Sequence, residues 1–325
     1  MKTYHYHPVS PTDRFGVTAA AFLLSWFTTT AEAATVTLTA SDTNDAPGFH
    51  TAGNWSDGQA PSSGNDYVVV SGRVLRTGTD AAGYVFAGKS LTLGESTSGI
   101  GRLALRSGGT FTVDELVLHY GTVENYTSSV ATTLAGNVTL VGYGTFAPSA
   151  ATRVLNISAS IRGSGVLRIE NGITVITSSN NIWSGGTLLR NPNGTTPASL
   201  DVRADGALGT GNVTLQIGTT LKLGGGTTHR YLHESASLIL PTGLASGSVE
   251  LSFVGSNLVT SVRIEGVTWT ETGTYGAPGS GADHEFGVFT GTGYLRIGAI
   301  PEPSIAAAIL GGGLLLATCA GRRHR

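Results

Sequence analysis

A chain of 325 residues is long enough for one large domain or two ordinary ones, with ample material for a core. It holds 47 Gly, 12% charged residues, 3 Lys against 16 Arg and a formal net charge of −2, so it lacks the Lys and Glu of surface helices and the basic stripe of a nucleic-acid binder. A hydrophobic share of 40% excludes a disordered chain, and one Cys excludes an internal disulfide or a Cys-based zinc site. An all-β protein held by packing and backbone ladders is expected.

At the N-terminus Lys2 and Arg14 precede 13 residues of apolar character from Phe15 to Phe27, followed by Ala31-Glu32-Ala33. A basic lead, a short apolar run and an A-x-A site are the parts of a secretory signal peptide. Residues 1–33 are assigned to it, with Ala31 and Ala33 at the cleavage site and a mature chain starting near Ala34. The run is short against the roughly 20 residues that span a bilayer.

The body, residues 34–299, is a series of short runs with apolar residues at every second position, at 67–70, 90–93, 101–105, 115–118, 137–140, 153–157, 166–169, 212–215, 219–223 and 248–253. Gly, Asn, Ser or Asp bounds each one, which predicts strands joined by turns. Leu93, Leu118 and Leu140 end comparable runs at intervals of 25 and 22 residues, the length of one coil of a β-solenoid. Gly136-Asn-Val-Thr-Leu140 recurs as Gly211-Asn-Val-Thr-Leu215, and Gly163-Ser-Gly-Val-Leu-Arg-Ile169 as Gly291-Thr-Gly-Tyr-Leu-Arg-Ile297. The body length then gives on the order of ten coils, stacked about 4.8 Å apart, with glycines at corners where φ turns positive. Three of the 21 acids and five of the 19 bases fall in the two ends, which leaves a body of net −4.

Residues 300–325 begin with Ile300, Pro301, Glu302 and Pro303, continue through 17 mostly apolar residues from Ser304 to Ala320, and end on Arg322, Arg323, His324 and Arg325. The span is a marginal transmembrane helix whose arginines stop export on the cytoplasmic side. Cys319 reads as small apolar filler. The tail resembles the PEP-CTERM sorting signal. The resemblance implies recognition of Pro301, Glu302 and Pro303 by an exosortase, a membrane cysteine protease, in a Gram-negative bacterium that makes extracellular polymer.

Within the body, Asn181-Ile-Trp-Ser-Gly-Gly-Thr-Leu188 and Asp205-Gly-Ala-Leu-Gly-Thr-Gly-Asn-Val-Thr-Leu215 resemble the autotransporter-associated β-strand repeat. Ala52-Gly-Asn-Trp-Ser-Asp-Gly58 with Pro61, and Gly273-Thr-Tyr-Gly-Ala277 with Phe289-Thr-Gly-Thr-Gly-Tyr-Leu295, are similar to the first and last segments of PEP-CTERM proteins with such repeats. The resemblance implies a right-handed parallel β-helix, or β-solenoid, exposed outside the cell between a signal peptide and a hydrophobic sorting helix. No series of amphipathic strands for a C-terminal membrane barrel follows it, so the tail takes over targeting.

Candidate chemical groups are few. Asp201-Val-Arg-Ala-Asp205, if a strand, sets Asp201, Arg203 and Asp205 on one face. A polysaccharide lyase needs such a set, with carboxylates holding Ca²⁺ and an arginine near the proton removed; a self-neutralising solvent-facing row is the favoured reading. His229 and His233 sit in a strand-like stretch that separates them by roughly 13 Å, too far for one ion. His284-Glu285 reads as loop polarity, and Asp42-Thr-Asn-Asp45 departs from the EF-hand template. Six N-x-S/T sites, at Asn54, Asn125, Asn137, Asn156, Asn193 and Asn212, reflect composition. Trp55, Trp183 and Trp269 could stack on sugars but are read as packing. No nucleophile elbow, zinc-protease helix or phosphate loop is present.

The expectation is a non-enzymatic exported protein of the cell surface or extracellular matrix, structural or adhesive, with no catalytic residue, metal or cofactor. Its partners are the secretion machinery, an exosortase, the inner membrane before processing and extracellular polysaccharide. A polysaccharide-active β-helix enzyme and a carbohydrate-binding module are the alternatives.

Overall fold

The computed structural model describes residues 1–3, 5, 33–42, 48–79, 83–95, 99–126, 130–179 and 181–298. Contacts divide the chain between residues 32 and 33, and every strand belongs to the second unit. Ala31, Pro301, Glu302, Pro303, Arg322, Arg323 and Arg325 lie outside the described residues, as do the two apolar spans. Ala33 is half-buried, just ahead of the strand Thr35–Thr37.

Among the described residues there is no helix, and the chain forms a parallel β-solenoid of about 8 turns. Each of the ten alternating runs coincides with a strand; Ser90–Leu93 and Gly101–Leu105 match to the residue. The turns are fewer than the ten expected, because coils vary in length and the ends use chain without adding a turn. Val154 pairs with Ile173, 19 residues on, whereas Leu221 pairs with Val249, 28 residues on. The hairpin of Ser261–Ile264 with Val267–Trp269 is antiparallel and closes one sheet.

Each coil has three sides. Thr132–Leu140 pairs through its first half with Val154–Ile157 and through its second half with Ser160–Gly163. Gly136, at φ 101°, turns it from one side to the next. Gly109–Leu118 makes the same turn through a register shift between Val113 and Leu116. A separate 10-stranded sheet supplies another side.

Alternation in the sequence becomes columns in the core. Leu93, Leu118 and Leu140 pair in register on consecutive coils, as their spacing predicts, and all are fully buried. On the 10-stranded sheet Leu75, Leu103, Val123, Phe146, Ile169, Leu189 and Leu215 form one continuous inward column. Each such side chain removed from water contributes about 1.5–3 kcal/mol.

The corner glycines answer to a second constraint besides φ. Gly101, Gly165 and Gly185 have no positive φ. A Cβ on Gly101 would sit 2.3 Å from the Val69 carbonyl oxygen, one on Gly165 2.2 Å from that of Gly142, and one on Gly185 2.3 Å from that of Gly165. These are contacts with the backbone of the preceding coil, so the corner admits only a residue without a side chain.

The internal repeats mark corners, not coils. Asn137–Leu140 of the first copy lies in the 13-stranded sheet, whereas Val213–Leu215 of the second lies in the 10-stranded sheet. In the other pair, Gly163 and Gly291 share positive φ, and the N–H groups of Gly165 and Gly293 donate to Leu140 and Leu251 at 2.9 and 3.0 Å. The strands that follow again belong to different sheets. The repeated unit is therefore a corner plus the side it leads into.

Two substitutions test this packing. Gly101→Ala should lower stability in urea by about 1–3 kcal/mol, while Gly64→Ala, where a Cβ meets nothing within 4 Å, should stay within about 0.5 kcal/mol. Thr174 is fully buried between Leu155 and Leu200, and its hydroxyl has no hydrogen-bond partner among the described residues. Thr174→Val should raise the unfolding free energy by about 1 kcal/mol.

Candidate functional site

One side of the solenoid loses its strands partway along. Its ladder is regular up to Ser160–Gly163 and resumes with Ser256–Val259 paired to Tyr294–Ile297. Between them, single backbone bonds step from coil to coil: Ile182 N–H to Ile161, Thr210 N–H to Trp183 and Gly206 N–H to Arg230, at 2.9, 2.9 and 2.8 Å.

Side chains complete the ladder there. Buried Asn181 accepts from the Ile161 N–H at 2.7 Å and donates to the Ala207 carbonyl at 2.9 Å. Buried Asn257 accepts from the Leu232 N–H at 2.8 Å and donates back to the Leu232 carbonyl at 3.0 Å. The gap is a cleft of 580 Å³ whose lining includes Asp205, Arg230, His233, Glu234, Leu258 and Arg296.

Asp205 holds the loop that carries Arg230. Its Oδ2 accepts the N–H groups of Thr227 and Thr228, both at 2.8 Å, and its Oδ1 accepts that of Arg230 at 2.9 Å. His229, at φ 56°, bends the backbone so that these N–H groups converge as in an anion nest. Burial disfavours the charged carboxylate, but the bonds from Thr228, Arg230 and Thr227 outweigh it and lower the pKa to about 2.

The structure does not bring Asp201, Arg203 and Asp205 together on one strand face. The strand Ala198–Val202 ends before Arg203. Arg203 pairs instead with Asp201 at 2.7 Å, and Asp201 stands in register with Lys222, which pairs with Glu250 at 2.8 Å. That is the self-neutralising row expected of a solvent face. The hydrogen bond to Glu250 raises the Lys222 pKa.

His229 and His233 lie in a loop between Thr219–Gly224 and Ser237–Leu240, not in a strand-like stretch. His229 stacks on Phe253 at 5.2 Å, while His233 Nδ1 bonds Ser235 at 2.7 Å. Among the described residues no group of three or more His, Cys, Asp or Glu is placed to hold a metal ion. His284–Glu285 is a short strand rather than a loop; Glu285 accepts the N–H groups of Gly279 and Gly281, and His284 stacks on Tyr275.

Asp42 is 3% exposed and accepts N–H groups from Gly48 and Arg76 and the side-chain amide of Asn54, so it closes the first loop. Burial raises its pKa in spite of those bonds. Asp45 lies outside the described residues. Asn125 is also fully buried and donates to the Val154 carbonyl on the next coil at 2.7 Å. Trp55 and Trp183 are core residues whose indole N–H groups donate to Gly48 and Gly186, and Trp269 is partly buried against the core.

Sequence reasoning passed over Arg230 and Glu234, which share one loop, and Arg296, two coils further on, all of which line the cleft. It also passed over an outer cluster in which Tyr143 stands beside Tyr120 at 5.6 Å and carries the Arg168 guanidinium 3.5 Å over its ring. Tyr120 has φ 93°, an uncommon conformation for a bulky side chain. The signal was Tyr-Gly at 120–121 and again at 143–144, one coil apart, where Gly121 and Gly144 pair in register.

No known protein family, no curated protein and no solved structure matches the chain.

A group whose pKa is depressed in the folded state adds stability above its unfolded pKa and loses it as pH falls through the folded value. For Asp205 that window runs from 3.8 down to about 2. Asp205→Asn should therefore destabilise the protein at pH 7 by about 1–2 kcal/mol, after allowance for solvent screening. The difference from wild type should shrink as chemical denaturation is repeated at pH 4, 3 and 2.

Proposed function

We propose that this chain is an exported, non-enzymatic surface or matrix protein whose solenoid winds right-handed and serves a structural or adhesive role among extracellular polysaccharides. Its signal peptide directs it out of the cytosol, and an exosortase reads Pro301, Glu302 and Pro303 while Arg322, Arg323 and Arg325 hold the tail at the inner membrane.

One observation favours this over a lyase or hydrolase: the residues best suited to chemistry are already committed to partners within the chain. Asp201 and Arg203 neutralise each other. Asp205, with a pKa of about 2, is too acidic to exchange a proton efficiently near neutrality, where a general base works best with a pKa close to the working pH. The cleft beside Asp205 favours carbohydrate binding as the second reading, since ligand sites occupy concavities with a few converging polar groups.

The test is fractionation of the native host with and without its exosortase, with mass spectrometry of both termini. The surface form should begin near Ala34 and lack the arginine end, and loss of the exosortase should leave the tail intact and the protein in the membrane fraction. Arg325 retained on the surface form would overturn the sorting assignment.

A further inference from the structure

Six basic side chains of the solenoid, Lys89, Arg102, Arg162, Arg190, Arg203 and Lys222, each have a carboxylate partner. The two guanidiniums lining the cleft, Arg230 and Arg296, have none among the described residues and are exposed; Arg153, Arg168 and Arg263 have none either but stand outside the cleft. Of the acids that face them, Asp205 spends both oxygens on backbone N–H groups. The exposed Glu234 remains as an acceptor, and His233 is bonded to Ser235.

The arginines also stand apart along the axis. Arg230 is two residues from Leu232, whose backbone is bridged to Asn257 on the next coil, and Leu258 pairs with Arg296 on the coil after that. Two coil steps separate them by about 10 Å. A single small anion does not bridge that distance, whereas a polymer with charges at intervals does.

We propose that this cleft binds an acidic polysaccharide, with Arg230 and Arg296 each receiving a carboxylate of alternate uronate units. A guanidinium presents a planar fork of donors that matches a carboxylate through two parallel hydrogen bonds. Glu234 accepts from sugar hydroxyls, and the partly exposed Leu258 offers apolar contact to ring C–H faces. The body carries net −4, so the attraction is local to the cleft, unlike the extended positive field that draws in nucleic acid. The assignment rests on the reading that the chain works among extracellular polysaccharides and names the kind it holds.

The test is affinity electrophoresis and calorimetry of the full chain with polygalacturonate, with dextran as the neutral polymer and a single-stranded DNA oligonucleotide as an unrelated polyanion. Polygalacturonate should bind and weaken with added salt, and dextran should not bind. Arg230→Gln with Arg296→Gln should weaken polygalacturonate binding at least tenfold. Arg263→Gln, on the 10-stranded sheet and outside the cleft, should leave it unchanged. If the double variant does not fold, the two single variants carry the test, each expected to weaken binding severalfold with an unchanged thermal midpoint. Wild-type affinity in the arginine variants, equal binding of dextran, or DNA binding as tight as polygalacturonate would overturn the proposal. The fractionation experiment decides sorting whichever way this one falls.

Discussion

Backbone hydrogen bonds between parallel coils stacked about 4.8 Å apart are the constraint from which the other features follow. At that spacing the corner of one coil lies against the corner of the next, and a Cβ at Gly165 or Gly185 would penetrate a carbonyl oxygen. Inward side chains land directly above one another, so the seven residues from Leu75 to Leu215 form one column without any long strand. Outward charges obey the same stacking: Glu170 with Arg190, and Lys222 with Glu250, are in-register neighbours. Exposed pairs of this kind contribute only about 0–1 kcal/mol each, so the core columns and the ladder carry the stability.

Where the ladder fails, polar side chains take over its hydrogen bonds. Asn181 and Asn257 each offer a donor and an acceptor, as a peptide group does, and both are buried while bonded across coils. An unpaired buried peptide group costs about 1–3 kcal/mol, which these amides avoid without requiring extended backbone. Freed from strand geometry, the intervening loops recede, and the cleft is the space they leave.

The fold was legible because each inward column demands alternation. Runs such as Ser90–Leu93 and Val166–Glu170 carry that pattern plainly. Strands such as Gly121–Asn125 and Tyr143–Phe146 were less visible, since small residues occupy positions where the chain passes close to its neighbour. Asp201, Arg203 and Asp205 were legible as a set only on the assumption of a strand through Asp205; the strand stops at Val202, so that assumption supplied a geometry the chain does not have. Arg230 and Arg296 could not be found by local spacing at all, because their relation depends on how many residues each intervening coil consumes, and that number varies from coil to coil.

Asp205 separates scaffold from chemistry in this cleft. A carboxylate that receives three backbone N–H groups is held in place by the same bonds that lower its pKa. Any step that protonated it would weaken those bonds and loosen the loop on which Arg230 stands. The ionised form persists through the whole range above about pH 4, so the loop keeps its shape across that range. A residue fixed in this way is suited to presenting an arginine at a constant position and poorly suited to shuttling protons.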